Sequence, residues 1–166
     1  VSVNVSPRQF RGGDLVATIS EVLEQTGLDP RLLEIELTET MVMQDGERMI
    51  DMLHAIKRLG VQIAVDDFGT GYSSLSYLKR FPVDRLKVDR SFVKDIATDT
   101  DSAAIVKTIV ALGHNLGLKV VAEGVETDEQ IAFLSRNGCD ELQGYHFSKP
   151  VSAWRLRKLL EKEAHL

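Results

Sequence analysis

The sequence predicts an α/β fold of the TIM-type (β/α)8 barrel class, carried here as six β/α units with the first two strands missing. Three observations predict it. Strand-like and helix-like segments alternate from end to end without a linker, which implies a parallel sheet covered by helices. The chain has 166 residues, whereas a full barrel typically takes about 250. Each strand also sorts its side chains by parity, apolar on one face and ending in a polar group on the other.

Val1–Val5 reads as the first strand. Asp14 caps a helix that carries Leu15, Ile19, Val22 and Leu23 and ends at Gly27. Residues 33–38 form the second strand. A helix follows with Met49, Leu53, Ile56 and Leu59 on one face, closed by Gly60. The third strand is 61–66, then a Gly/Ser-rich loop and a short helix near 75–79, stopped by Pro82. Residues 85–89 are the fourth strand. A long helix follows with Ile105, Ile109, Leu112 and Leu116 on its stripe. Residues 119–123 are the fifth strand. Thr127 and Gln130 stand at capping-box spacing and open another helix, closed near Gly138. Residues 141–145 are the sixth strand, and Ser152 caps a last helix with Trp154, Leu156, Leu159 and Leu160.

Successive side chains of a strand face opposite sides. Val1, Val3 and Val5 oppose Ser2 and Asn4; Ile35 and Leu37 oppose Glu36; Ile63 and Val65 oppose Asp66; Leu86 and Val88 oppose Lys87; Val120 and Ala122 oppose Glu123; Leu142 opposes Gln143. An open, doubly wound sheet is the competing architecture, but it buries both faces and reads as continuous Val/Ile/Leu. Polar groups late in each strand fit the rim at the carboxyl end of a barrel, where active sites of this architecture sit. A simpler account of Lys87 is an ion pair with Asp89.

Composition sets further bounds. With 20 Lys+Arg against 25 Asp+Glu the formal charge is -5, which argues against a broad basic face for DNA or RNA duplexes. Hydrophobic residues at 43% and charged residues at 27% are those of a globular protein. A single cysteine, Cys139, excludes a disulfide framework and a Cys-based zinc site, and fits a reducing, cytoplasmic setting. No apolar run reaches the roughly 18 residues needed to cross a bilayer, so no direct membrane contact is expected of this segment. The chain starts mid-strand at Val1, and is expected to be a piece of something longer.

Glu36, Asp66, Asp67 and Glu123 would crowd one mouth. Two unit charges about 5 Å apart repel by about 3 kcal/mol at an effective dielectric near 20, so such a set either raises its pKa values or binds cations. An amide and several carboxylates form a hard-oxygen set that favours Mg²⁺ or Mn²⁺. The adjacent Asp66 and Asp67 suit two ions, an arrangement that recurs in phosphoester hydrolysis, with Lys87 adding a fixed positive charge. Barrel enzymes that enolise carbonyl acids also place carboxylates and a lysine there, and spacing does not separate the two. His54, His114, His146 and His165 are dispersed and read as surface or helix residues. Gly69-Thr70-Gly71 has Ser74 where a dinucleotide fingerprint needs its third glycine. Ser73 and Ser74 lack a neighbouring His to activate them. Asp67-Phe68-Gly69 has no kinase motifs beside it.

Six stretches together resemble a known family: Asn4-Val5-Ser6-Pro7, Glu36-Leu37-Thr38-Glu39, the run DDFGTGYSSL from Asp66 to Leu75, Lys87-Val88-Asp89-Arg90-Ser91-Phe92, VVAEGVET from Val120 to Thr127, and Gln143-Gly144-Tyr145. The chain is similar, in order and over nearly its whole length, to the bacterial EAL-domain phosphodiesterases, which hydrolyse one phosphodiester bond of cyclic di-GMP to the linear dinucleotide pGpG. The resemblance implies a modified (β/α)8 barrel whose first strand is antiparallel, and one domain over residues 1–166. It implies that Asn4, Glu36, Asp66 and Asp67 are ligands of two ions, Mg²⁺ or Mn²⁺, and that Glu123 is the general base or holds the attacking water. Lys87 would orient that water, Gln143 and Glu126 would sit near the substrate, and Glu39 would anchor the loop from Asp67 to Leu75. The family also implies a homodimer and, in the parent protein, fusion to sensory or cyclase domains. Some members bind the nucleotide without cutting it, a receptor alternative. The Glu-Ala-Leu motif that names the family, one of whose residues is a metal ligand, would lie upstream of Val1; the parent protein is therefore expected to be active and these 166 residues alone weak or inert.

Overall fold

The computed structural model describes residues 1–12, 14–44, 46–71 and 75–163. In chain order these form β1 (Ser2–Asn4), α1 (Pro7–Gly12), α2 (Leu15–Thr26), β2 (Glu34–Thr38), α3 (Glu39–Gln44), α4 (Gly46–Arg58), β3 (Gln62–Phe68), α5 (Leu75–Leu78), β4 (Arg85–Val88), α6 (Arg90–Lys94), α7 (Thr100–Asn115), β5 (Lys119–Ala122), α8 (Asp128–Arg136), β6 (Glu141–Leu142) and α9 (Ala153–Glu163). The caps read from sequence are in place. Asp14 accepts from the Ala17 amide, Gly27 takes a left-handed conformation, and Thr127 and Gln130 form a reciprocal capping box.

All strand pairs are parallel, and the six strands lie side by side in chain order. A doubly wound sheet reverses its order at a switch point; this one never does. The structure is a sector of a TIM-type barrel with helices on its outer face. Leu37, Ile63, Val65, Leu86, Val88 and Val120 are fully buried beneath Leu53, Ile56, Val106 and Leu134 of the helices. Among the described residues no helix is long and apolar enough to cross a membrane.

Several expectations need correction. Val1 and Val3 are exposed (82% and 44%), because β1 is an edge strand whose outer face is left in solvent. Helices α1, α3 and α6 were not expected; each is only five or six residues, too short to print a 3.6-residue period. On α7 the buried residues are Val106, Ile109, Val110 and Gly113, while Ile105 is exposed; the stripe is rotated from the predicted one. Strand β3 runs on to Phe68, and β6 stops at Leu142. Trp154, Leu156, Leu159 and Leu160 of α9 are exposed.

The entries of β4 and β6 are tied down by the same device. Asp84 accepts from the Ile63 amide and pairs at 2.7 Å with Lys57 near the end of α4. Asp140 accepts from the Val120 amide at 2.8 Å and from His114, at the end of α7, at 2.9 Å. Each aspartate locks the start of its own strand to the strand before it and to a helix end. These are the two strands that lead to Lys87 and Gln143. Partial burial works against the Asp140 charge, but the Val120 amide and His114 outweigh it and hold its pKa below the ordinary 3.8. A depressed carboxylate stabilises the fold above its unfolded pKa and loses that contribution as pH falls through the folded one. Asp140→Asn is therefore expected to destabilise the chain at pH 7 by about 0.5–1 kcal/mol, the size of a solvent-screened pair. The deficit should shrink once pH falls below about 4. Urea midpoints at pH 7 and pH 3.5 check both the size and the sign.

Candidate active site

The mouth of the barrel sector is organised by one cation. The Lys87 ammonium lies 2.8 Å from Glu36, 2.7 Å from Glu123 and 3.2 Å from Asp66. Strand parity makes this possible. Glu36, Asp66 and Lys87 all point inward from β2, β3 and β4, and Glu123 follows β5 directly, its amide bonded to the Val88 carbonyl. Only 5% of the Lys87 side chain is exposed. Burial works against its charge, but hydrogen bonds to Glu123 and Glu36 prevail and hold its pKa above the usual lysine value. Burial pushes Glu123 above the ordinary glutamate range, and Lys87 offsets part of that rise. The simpler account of Lys87, an ion pair with Asp89, gives way to these three. Asp89 instead caps α6, accepting from the amide and hydroxyl of Ser91.

Adjacent strand residues normally face opposite sides, yet Asp66 and Asp67 serve the same mouth. The register shifts between Val65 and Phe68, and Asp67 takes a φ of 54°, in the left-handed region. It is the only non-glycine residue there among those described. The Asp67 amide donates to the Asp66 carboxylate at 3.0 Å. As a result, oxygens of Asp66, Asp67 and Glu123 lie within 4.8 Å of one another. Burial, the charges of Asp66 and Asp89 and a hydrogen bond to Asp89 push the Asp67 carboxyl above its ordinary range. Three carboxylates held this close suit a divalent cation with oxygen ligands.

Glu39, 1% exposed at the start of α3, receives the loop that follows β3. Its carboxylate accepts from the amides of Gly69 at 2.8 Å and Gly71 at 3.2 Å. A β-carbon at Gly71 would come within 2.9 Å of that carboxylate, so glycine permits the approach. Tyr72, Ser73 and Ser74 of the same loop lie outside the described residues.

The remaining predicted residues flank this centre. Asn4 is on β1 in register with Glu36, and is exposed. Glu126 and Gln143 line a cavity of about 180 Å³ that adjoins Glu123, together with Arg90, Gly124, Gly144 and Tyr145. Arg90 and Tyr145 were not singled out from sequence; Tyr145 stands two residues after Gln143, a local signal that could have found it, whereas Arg90 meets Gly124 only through the fold. None of the three described histidines belongs to the carboxylate cluster: His114 pairs with Asp140, His146 lies 3.7 Å from Asp128, and His54 is exposed on α4. His165 lies outside the described residues. In Glu39→Ala the amides of Gly69 and Gly71 lose a charged acceptor, a bond of about 1.5–3 kcal/mol. Their hydrogen exchange is expected to speed up by about tenfold or more, and unchanged rates would show that something else holds the loop.

Comparison with known proteins identifies the family. The family profile described as "EAL domain" matches residues 1–150. The chain is 47% identical over 156 residues to the bifunctional diguanylate cyclase/cyclic di-GMP phosphodiesterase MucR of Pseudomonas aeruginosa, covering 94% of this chain and 23% of that protein. Among solved structures it is similar to the PaMucR phosphodiesterase in complex with c-di-GMP, with a TM-score of 0.91, 48% identity, and coverage of 93% of this chain and 63% of that one. It is also similar to a manganese/cy-diGMP complex of BlrP1 from Klebsiella pneumoniae, with a TM-score of 0.82, 39% identity, and coverage of 90% and 38%. The chain spans about a fifth of the length of the curated relatives it matches. With the mouth residues in this arrangement and the profile running through nearly the whole sector, the chain belongs to the EAL-domain family.

Proposed function

We propose that this chain is the core of a metal-dependent phosphodiesterase that opens one phosphodiester bond of cyclic di-GMP and releases the linear dinucleotide pGpG. The observation that carries the reading is the approach of Asp66, Asp67 and Glu123 within 4.8 Å, beside a lysine already bonded to Glu36 and Glu123. It is supported by the family's phosphodiesterases and by the c-di-GMP complex of PaMucR.

The donor set is all oxygen, which fits Mg²⁺ or Mn²⁺ better than zinc. Asp66 and Asp67, with Asn4 and Glu36 from the neighbouring strands, would hold two such ions. Once bound, the pair would neutralise phosphate charge and lower the pKa of water. The protein's own groups do the rest. Glu123, with a raised pKa, takes the proton of the attacking water at its carboxylate oxygen. Lys87 fixes the orientation of Glu123 through the 2.7 Å bond and places positive charge where phosphoryl charge develops. Glu126 and Gln143 line the cavity into which the nucleotide extends. In this reading residues 1–166 belong to one EAL-type domain. The parent protein is a homodimer fused to sensory or cyclase domains, with this part in the cytoplasm whether the whole is free or membrane-anchored.

The test uses the longest form of the protein that contains these residues. Cyclic di-GMP with Mg²⁺ or Mn²⁺ should yield pGpG, and chelation by EDTA should abolish turnover and restoration of the metal should recover it. Binding without any turnover would identify a receptor instead. Glu123→Gln is expected to retain nucleotide binding and reduce kcat by about 10²-fold or more, the usual effect of a lost general base. Lys87→Ala should impair kcat to a similar degree. Single-turnover measurement of pGpG release settles both, since an unchanged rate in Glu123→Gln would remove Glu123 from the proton transfer.

A further inference from the structure

Lys87 is fully engaged by three carboxylates, so it has little capacity left for a second negative group. The next cation at the mouth is Arg90, the first residue of α6 and exposed. Its aliphatic stem lies across Gly124, the residue after Glu123. A β-carbon at Gly124 would come within 2.8 Å of Arg90 Cβ, 2.4 Å of Cγ and 2.9 Å of Cδ, and Gly124 itself has a φ of +71°. The path of the side chain is therefore set by the backbone beside Glu123. Arg90 lines the same cavity as Glu123, Glu126, Gln143 and Tyr145. Among the described residues no carboxylate forms an ion pair with it.

A cyclic dinucleotide carries two phosphodiesters on one ring. The phosphate being cut must lie against the acidic cluster and Glu123. The other must lie off that cluster, in a cavity where Glu126 adds a further negative charge. We propose that Arg90 binds this second phosphate, the one that is not cut; the proposal rests on the cyclic dinucleotide reading above. A guanidinium presents five donors in a planar fork that matches phosphate oxygens. With its stem laid over Gly124, it loses little freedom on binding.

Binding of cyclic di-GMP is compared with binding of an analogue in which one phosphodiester is replaced by a neutral linkage. The ring is symmetric, so the analogue turns its remaining charged phosphate to the acidic cluster and offers Arg90 nothing. Arg90→Ala is expected to raise the Kd for cyclic di-GMP by about 10–100-fold, the range for a lost hydrogen bond between charged partners. Arg90→Lys should recover part of that loss as a point charge. The wild type should lose affinity for the analogue by a similar factor, and Arg90→Ala should weaken the analogue no further. An unchanged Kd in Arg90→Ala overturns the proposal. So does an equal loss on cyclic di-GMP and on the analogue, which would mean that Arg90 reads the base or merely supports the fold. A wild type that binds neither ligand overturns the cyclic dinucleotide reading itself, whereas a wild type that binds both equally overturns only the role of Arg90.

Discussion

The buried ammonium of Lys87 is the interaction around which the mouth is built. Glu36, Asp66 and Glu123 sit on or directly after three different strands, and each reaches the same nitrogen. Without that charge, carboxylates about 5 Å apart would repel by about 3 kcal/mol per pair at an effective dielectric near 20. The strand ends would splay or the groups would take up protons. With it, one positive charge faces three carboxylates, and Asp67 brings a fourth. The cluster keeps a negative excess, which creates demand for divalent cations at a place where the backbone is already rigid. Structural and chemical roles therefore meet in one residue.

The same strand geometry builds a second polar layer at the opposite end of the sector. Arg85 is two residues before Lys87 and faces the same way. It pairs with Glu34 at 2.8 Å and with Glu141 at 3.4 Å, while the Ser2 hydroxyl donates to Glu34. Glu34 and Glu36 on β2 thus pair with Arg85 and Lys87 on β4 across β3, whose Ala64 has the same inward parity as Asp66. A period of two is all that is needed to load both ends of one interior with opposite charges. The two layers differ in what is left over. At the floor Arg85 and the exposed Lys119 face Glu34 and Glu141, and the charges balance; at the mouth acid exceeds base.

This parity was legible in the sequence, and with it the inward set Asn4, Glu36, Asp66, Lys87, Glu123 and Gln143. What escaped was whatever depends on contacts distant in sequence or on short elements. The partner of Lys87 could not be told from spacing: Asp89 is two residues away, yet Glu36 and Glu123 meet the ammonium only because β2 and β5 flank the two central strands. The α7 stripe was misjudged because Ile105 and Val106 are both apolar, and the choice between them is made by the sheet beneath. Val3 alternates like a core residue but lies on an edge. Arg90 belongs to a stretch that carries the family resemblance, but its place over Gly124 follows from the fold and from no local pattern.

Asp67 shows how far the chemistry departs from regular strand geometry. A strand that continued ideally past Asp66 would turn the next side chain away from the mouth. The left-handed turn at Asp67 brings it back, at a conformational cost of roughly 1 kcal/mol. A glycine would adopt the same backbone without that cost but would remove a carboxylate from the cluster. The strain is held by hydrogen bonds to the main chain: the Asp66 carboxylate on the Asp67 amide, the Thr70 hydroxyl on the Asp67 carbonyl, and Glu39 on the amides of Gly69 and Gly71. Each of these bonds reaches the backbone, so the acidic pair is positioned by the path of the main chain more than by side-chain packing. Glu39 opens the helix that follows Glu36 and Thr38 on β2. The loop after β3 is therefore indexed to the same strand that supplies one of the carboxylates on Lys87, and a displacement at either place is transmitted to the other through a buried, charged hydrogen bond.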